Sequence, residues 1–181
     1  MAGELLDTHP GQALEHARAA RARASRIAAT REAVGIAAYH AGEWAEALTE
    51  LRTHRRISGD PRNLPLLADI ERALGRPQNA VKALTDPTVG KLDPETRTEL
   101  LIVVAGARRD MGQDEAALAV LARGGLDPHK PTPGAHRLWY VYADTLEHTG
   151  QRDQAATWFA HAATQDHDHQ TDAADRAAAL L

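Results

Sequence analysis

A glycine recurs four times along this chain with the same neighbours on its C-terminal side. Successive copies are 33, 37 and 38 residues apart, an alanine follows each copy after five residues, and a large apolar residue follows after nine. The glycines are Gly42, Gly75, Gly112 and Gly150, the alanines are Ala47, Ala80, Ala117 and Ala155, and the large apolar residues are Leu51, Leu84, Leu121 and Phe159. These spacings bracket the period of about 34 residues at which one helix-turn-helix unit stacks on the next. The register therefore predicts an array of repeats, each packed on its neighbours.

The segments between these glycines have the periodicity of helices. Apolar residues recur at spacings of three and four, and β-branched alternating runs are lacking, so we expect an all-α chain. The predicted helices cover residues 10–25, 28–41, 44–57, 64–74, 77–84, 94–111, 114–123, 135–149, 152–165 and 171–181. Asp93 before Pro94 is typical of a helix N-cap followed by a proline at the first helical position. We expect Pro87 and the Gly124-Gly125 pair to end their helices early.

Composition restricts the class of protein. The chain has 181 residues, a formal net charge of −4 and no cysteine. This charge lacks the basic excess that by itself points to nucleic acid, and the lack of cysteine removes disulfides and thiolate chemistry. No segment approaches the roughly 18 consecutive apolar residues of a membrane span, and the early acidic residues Glu4 and Asp7 are unlike a secretory signal. We therefore expect a cytoplasmic protein without a membrane partner.

Two of the predicted units carry a fuller residue pattern. The unit at 28–61 has Val34, Gly35, Gly42, Trp44, Ala47 and Leu51, and the unit at 133–168 has Trp139, Tyr142, Ala143, Gly150, Ala155, Phe159, Ala162 and Asp166. This pattern resembles the tetratricopeptide repeat, and the chain as a whole resembles Ala- and Arg-rich tetratricopeptide proteins of high-GC actinobacteria, which have no agreed activity. The resemblance implies a right-handed α-α superhelix, or solenoid, in which most of these residues are core.

The resemblance also implies a domain organisation. We expect one domain over residues 1–181, with repeats at about 28–61, 62–92, 93–132 and 133–168, an N-terminal half-repeat at 1–27 and a C-terminal capping helix within 169–181. Because terminal repeats normally need a polar cap, the half-repeat suggests either further upstream sequence or an oligomer. A homo-oligomer could form through an apolar edge made by Leu5, Leu6 and Leu14.

In this family the first helix of each pair lines a concave groove, which implies a binding face. Counting back from each glycine, the projected face consists of Glu32, Ile36, Tyr39, Arg62, Asp69, Arg72, Glu99, Ile102, Arg109, Arg137, Tyr140 and Asp144. Tyrosine and arginine are frequent anchors of protein interfaces, so we predict an adaptor that binds a peptide or a partner helix. The lysine and asparagine clamp of some family members is absent here. The competing interpretation is that a pair such as Asp69 and Arg72 is only an exposed ion pair.

A second function class stays open. Five arginines, Arg18, Arg21, Arg23, Arg26 and Arg31, form a run without an acidic residue until Glu32. Such a run could contact phosphates of RNA or DNA, although a solvated helix surface explains it as well, because no recognition motif accompanies it.

Other constellations favour structural explanations. His161, His167, Asp168 and His169 are the densest set of potential metal ligands, but their spacing favours an exposed loop. The two serines, Ser25 and Ser58, lie in no nucleophile motif, and no glycine-rich phosphate loop is present. We predict no catalytic residue, cofactor or metal. The aromatic residues of the last unit are expected in its core, with Tyr140 and Trp158 as the two to examine for exposure.

Overall fold

The computed structural model describes residues 5, 6 and 8–181, so part of the half-repeat at 1–27 lies outside the described residues. Ten α-helices and no strand occur in this described part of the chain. They are α1 (Pro10–Arg23), α2 (Ala28–His40), α3 (Trp44–Ser58), α4 (Leu64–Ala73), α5 (Pro77–Lys82), α6 (Pro94–Asp110), α7 (Asp114–Ala122), α8 (Ala135–His148), α9 (Arg152–Gln165) and α10 (Ala173–Leu180). The predicted helices are confirmed, with ends that differ by one or two residues. None of the described helices is long and apolar enough to cross a membrane.

The chain divides into two compact units. Unit 1 is Met1–Arg76 and unit 2 is Pro77–Leu181. The division falls between α4 and α5, inside the segment expected to form the repeat at 62–92, and the single domain over 1–181 stays a prediction. In unit 1, α2 packs on both α1 and α3; in unit 2, α6 packs on α7, α8 on α9, and α9 on α10.

The recurring glycines end the first helix of each pair. All four have a positive φ, between 69° and 81°, a conformation that costs glycine little because it has no Cβ. At Gly112 the glycine N–H donates to the carbonyl of Arg109 at 2.8 Å, and the next N–H, of Gln113, donates to the carbonyl of Arg108 at 2.9 Å. The same pair of bonds closes the other three turns. Each turn is therefore a Schellman motif, which satisfies the last carbonyls of the helix.

The middle of the chain departs from the regular pattern, as expected. The helix α5 ends at Lys82 and is followed by 3₁₀ turns at Ala83–Thr85 and Val89–Lys91. The helix α7 ends at Ala122, and a Cβ on Gly124 would lie 2.6 Å from Leu138 Cδ2, so the glycine permits a close approach of α8. The predicted N-cap is confirmed, because Asp93 Oδ1 accepts from the Thr96 N–H at 2.9 Å.

The family positions quoted from the sequence lie mostly in the core. Unit 1 buries Val34, Ala47 and Leu51 in one cluster, against which Trp44 packs partly buried. Unit 2 buries Leu100, Leu121, Leu138, Trp139, Leu146 and Phe159 almost completely. The buried side chains combine large residues with many alanines, which lets facing helices pack closely.

Candidate functional site

In unit 1 the projected face joins α2 to α4 through a tyrosine. The Tyr39 hydroxyl donates to Asp69 Oδ2 at 2.7 Å, and Arg72 Nη1 donates to Asp69 Oδ1 at 3.0 Å. Burial and then the bond to the Asp69 carboxylate raise the pKa of Tyr39 to about 12. The phenol is therefore a fixed, neutral donor at neutral pH. Asp69 and Arg72 do form the ion pair of the competing interpretation, but both side chains are partly buried and Asp69 also joins α4 to α2.

The other end of the same face is organised by Glu32. Its Oε1 accepts from Asn63 Nδ2 at 2.7 Å and lies 3.3 Å from Arg62 Nε, while its Oε2 lies 3.8 Å from Nε2 of the buried His54. Arg62 also pairs with Asp60 at 2.9 Å. Asn63 and His54 were not among the projected residues, because their contacts with Glu32 depend on how α3 and α4 pack against α2.

In unit 2 two ion pairs join α6 to α8. Arg137 Nη1 lies 2.5 Å from Glu99 Oε1, and Arg109 pairs with Asp144. Burial raises the pKa of Glu99 even though Arg137 opposes it. Burial also acts to raise the pKa of Asp144, but hydrogen bonds from Arg109 and Arg176 outweigh it and hold that pKa below its usual range. Two carboxylates on one face are thus shifted in opposite directions.

The helix α10 continues this pattern onto α8. Arg176 lies 2.7 Å from Asp144 Oδ1 and 2.6 Å from Glu147 Oε2, and it donates to the Tyr140 hydroxyl at 3.1 Å. Its guanidinium carbon lies 4.2 Å from the centre of the Phe159 ring, a cation–π contact. The Tyr140 hydroxyl in turn donates to Asp172 Oδ1 at 2.7 Å. The helix α10 and its N-cap residue therefore contribute Arg176 and Asp172, which the projected face did not include.

All ten projected polar residues are bonded to other side chains, and most of the bonds run from one first helix to the next. We call these linked residues the ladder face of each unit: Glu32, Tyr39, Arg62, Asp69 and Arg72 in unit 1, and Glu99, Arg109, Arg137, Tyr140, Asp144 and Arg176 in unit 2. The two projected isoleucines, Ile36 and Ile102, are partly buried beside them. A signal for the pairing was present, since partners such as Arg109 and Asp144 have opposite charge and lie about one repeat apart.

Three of the five arginines in the run form ion pairs with glutamates of α3. Arg18 pairs with Glu46, and Arg21 and Arg31 both pair with the buried Glu50. The hydrogen bond between Arg18 and Glu46 raises the pKa of Arg18 and lowers the pKa of Glu46. Arg23 and Arg26 are exposed, and no carboxylate among the described residues pairs with them. Binding of nucleic acid by this run stays a prediction, and ion pairs among the described residues already engage three of its five arginines.

The leucines predicted to form an open N-terminal edge are folded onto unit 1. Leu14 is buried in the unit 1 core, and Leu5 and Leu6 pack against that core partly buried. The expectation of an unpaired edge is therefore wrong for Leu14, which is buried within the core, and Leu5 and Leu6 keep only part of their surface exposed. The homo-oligomer itself stays a prediction.

The remaining candidates lie where a structural role would place them. His167, Asp168 and His169 are exposed in a turn held by Asp166, whose carboxylate accepts from the backbone N–H groups of Gln170 and Thr171. No group of three or more His, Cys, Asp or Glu residues in the described part of the chain could hold a metal ion. In the last unit Tyr140 and Trp158 are both partly buried.

Comparison with known proteins identifies a similar fold but no family. No known family profile matches the chain, and no curated protein matches it. Among solved structures, the chain is similar to one from Podosopora anserina described as kinesin light chain nearly identical TPR-like repeats. The two share 20% sequence identity, the match covers 94% of each chain, and the TM-score is 0.67. The chain thus has the all-α fold of TPR-like repeats.

Proposed function

We propose that this protein is a noncatalytic, cytoplasmic adaptor that binds a peptide or a helix of a partner protein on its ladder faces. The fold supports an interaction module, because repeats of stacked helix pairs display extended faces that suit protein partners. The observation that carries the proposal is the pairing of the face residues themselves. Arg72 and Arg109 are fixed by Asp69 and Asp144, yet their side chains remain 27% and 28% exposed.

Fixed side chains of this kind are suited to binding. A guanidinium has five N–H donors, and one ion pair uses only some of them. An arginine that is already held loses less conformational entropy when a partner arrives than a free one would. Tyrosine adds a large contact area that is also held by hydrogen bonds. The ladder face therefore presents ordered donors of both charge signs rather than a single charged patch.

The test must separate binding from folding. Reversing Arg109 alone would place a new carboxylate beside Asp144 and would damage the face, so a swapped pair is preferable. The double variant Glu99→Arg, Arg137→Glu keeps an ion pair between α6 and α8 but reverses the pattern that a partner meets. The matched control is Arg18→Glu, Glu46→Arg, which swaps an ion pair between α1 and α3 outside the ladder face.

Each variant would be used for affinity capture from an extract of the source organism, with and without nuclease, and checked by circular dichroism. We expect a protein that is captured by the wild type and by the control, and lost with the Glu99–Arg137 swap at unchanged helical content. Capture that survives this swap would place binding elsewhere. Capture that is lost with nuclease and with the control swap would instead support nucleic acid as the partner.

A further inference from the structure

A cleft in unit 2 lies away from the ladder face. It is formed by the loop before α6, the first two turns of α6, the end of α7 and the loop that follows. Its volume is about 290 Å³, and it is open to solvent on one side. Its lining includes Leu92, Arg97, Leu101, Arg123 and Thr132. This volume is close to the lower limit of small-molecule pockets, which span about 300–1,000 Å³, so the cleft suits a small group.

The two arginines of the cleft differ from those of the ladder face. Arg97 and Arg123 are both exposed, and no carboxylate in the described part of the chain pairs with either of them. Asp93, one turn before Arg97, is engaged in capping α6 through Thr96, and Glu99 pairs with Arg137. The cleft is therefore lined by two arginines that have no carboxylate partner among residues 5, 6 and 8–181.

The rest of the lining is apolar or already bonded. Leu101 is 3% exposed and, with the partly buried Leu92, forms an apolar wall. The Thr98 hydroxyl is within hydrogen-bond distance of the carbonyls of Pro94 and Pro133, at 3.0 and 3.3 Å. The lining thus combines free cationic donors with a short hydrophobic surface, and Thr98 has no donor to spare.

We infer that this cleft binds a carboxylate joined to a short apolar group. A guanidinium matches a carboxylate with two parallel hydrogen bonds, and the leucines would bury the apolar part. The carboxylate could come from a free small acid or from an acidic side chain beside an apolar residue in a peptide. This inference does not depend on the ladder face, which lies on other residues.

The first experiment uses N-acetyl-leucine as the probe and follows the backbone amides of the full chain by NMR. We expect saturable shifts at Thr98, Leu101, Gly124 and Thr132. N-acetyl-leucinamide has the same apolar group without the carboxylate, and it should bind at least about fivefold more weakly, since it lacks the charge-assisted bonds. Equal binding of the two compounds would overturn the inference, as would an absence of shifts at these amides.

A variant tests the arginines. The double variant Arg97→Gln, Arg123→Gln should bind N-acetyl-leucine at least about tenfold more weakly, because both charged donors are lost. The matched control is Arg152→Gln on α9, another exposed arginine without a carboxylate partner in the described residues, and it should leave binding unchanged. Undiminished binding by the double variant would refute the assignment. Tighter binding of inorganic phosphate at the same amides would also refute it.

A final comparison identifies the source of the carboxylate. A short blocked peptide with an internal Leu-Glu step would be titrated beside N-acetyl-leucine. Tighter binding of the peptide would support an acidic segment of a partner protein, whereas tighter binding of N-acetyl-leucine would support a free small acid. If neither compound shifts the amides of the cleft, the inference fails in both forms.

Discussion

At the scale of single residues, Gly35 shows how closely the helices of unit 1 approach. A Cβ at this position would lie 2.6 Å from Leu51 Cγ and 2.7 Å from Cδ2. Real Cβ atoms do not come so close, so any side chain here must displace a buried leucine. Packing therefore requires a glycine at this position of the helix pair, and its φ plays no part.

We expect Gly35→Ala to lower the free energy of unfolding by about 1–3 kcal/mol, the usual cost of overpacking a core. The measurement is urea unfolding followed by circular dichroism. Gly11→Ala is the matched control, because a Cβ at Gly11 meets nothing within 4 Å and alanine is the better helix former. Gly35→Ala with the stability of the control would show that α2 and α3 do not approach as described.

Tyr39 gives a prediction that depends on pH. Its pKa is raised to about 12 by burial and by the bond to Asp69, so the folded state holds the phenolic proton more tightly than the unfolded state. The stabilisation is complete below the ordinary pKa of 10.0. It should disappear as pH rises from there toward 12.

Tyr39→Phe should therefore lower the free energy of unfolding by about 1 kcal/mol at neutral pH and flatten the loss of stability above pH 10. Absorbance titration of the phenols would show the late ionisation disappear in this variant. Tyr142→Phe is the control, since no hydrogen bond of the Tyr142 hydroxyl occurs among the described residues. A Tyr39 that ionises near the ordinary pKa of 10.0 would contradict the bond to Asp69.

At the scale of helices, the recurring glycine and the residue that follows it together form the turn between the two helices of a pair. The glycine closes the first helix, and in three of the four turns the next residue (Glu43, Gln113 or Gln151) is also the N-cap of the second helix. One left-handed residue thus reverses the chain within a single turn. This explains why a local signal was enough to place the pairs correctly.

The conformational requirement can be isolated by comparing two glycines. A Cβ would meet nothing within 4 Å at Gly112 or at Gly90, but only Gly112 has a positive φ, of 69°. Gly112→Ala should therefore cost about 1–2 kcal/mol, the penalty of a left-handed alanine, and Gly112→Asn should cost less. Thermal unfolding would measure both. Gly90→Ala should be close to neutral, and equal effects at the two sites would reject the argument.

The ladder contacts were less predictable than the turns. The first-helix positions of Arg109 and Asp144 could be projected from the glycine register, but their pairing depends on how α6 and α8 pack, which sequence spacing does not specify. Asn63 and Arg176 were missed for the same reason. Arg176 lies on a helix expected only to cap the array, yet it contacts three residues of α8.

At the scale of the whole molecule, salt distinguishes the proposed partner from the alternative. Between about 50 and 200 mM salt, binding to phosphates through several arginines should weaken by orders of magnitude. Peptide binding by paired arginines and tyrosines should weaken far less, because the ladder charges already compensate one another. Titration of a captured partner across this range is the measurement. A steep loss for a protein partner on the ladder face would contradict the proposed balance of charges.

The sequence alone determined the helices, their turns and most of the core. These features follow from local causes: the spacing of apolar residues along a helix, the left-handed glycines and the prolines at helix starts. Only the tertiary structure decided which charged side chains form ion pairs with one another. It paired Arg21 and Arg31 with Glu50, bound Arg109 to Asp144 and buried Leu14. It also placed Arg97 and Arg123 at one cleft, where no carboxylate of the described residues pairs with them. Such pairings depend on how separate helices approach one another, and a side chain's neighbours along the chain do not encode that distance.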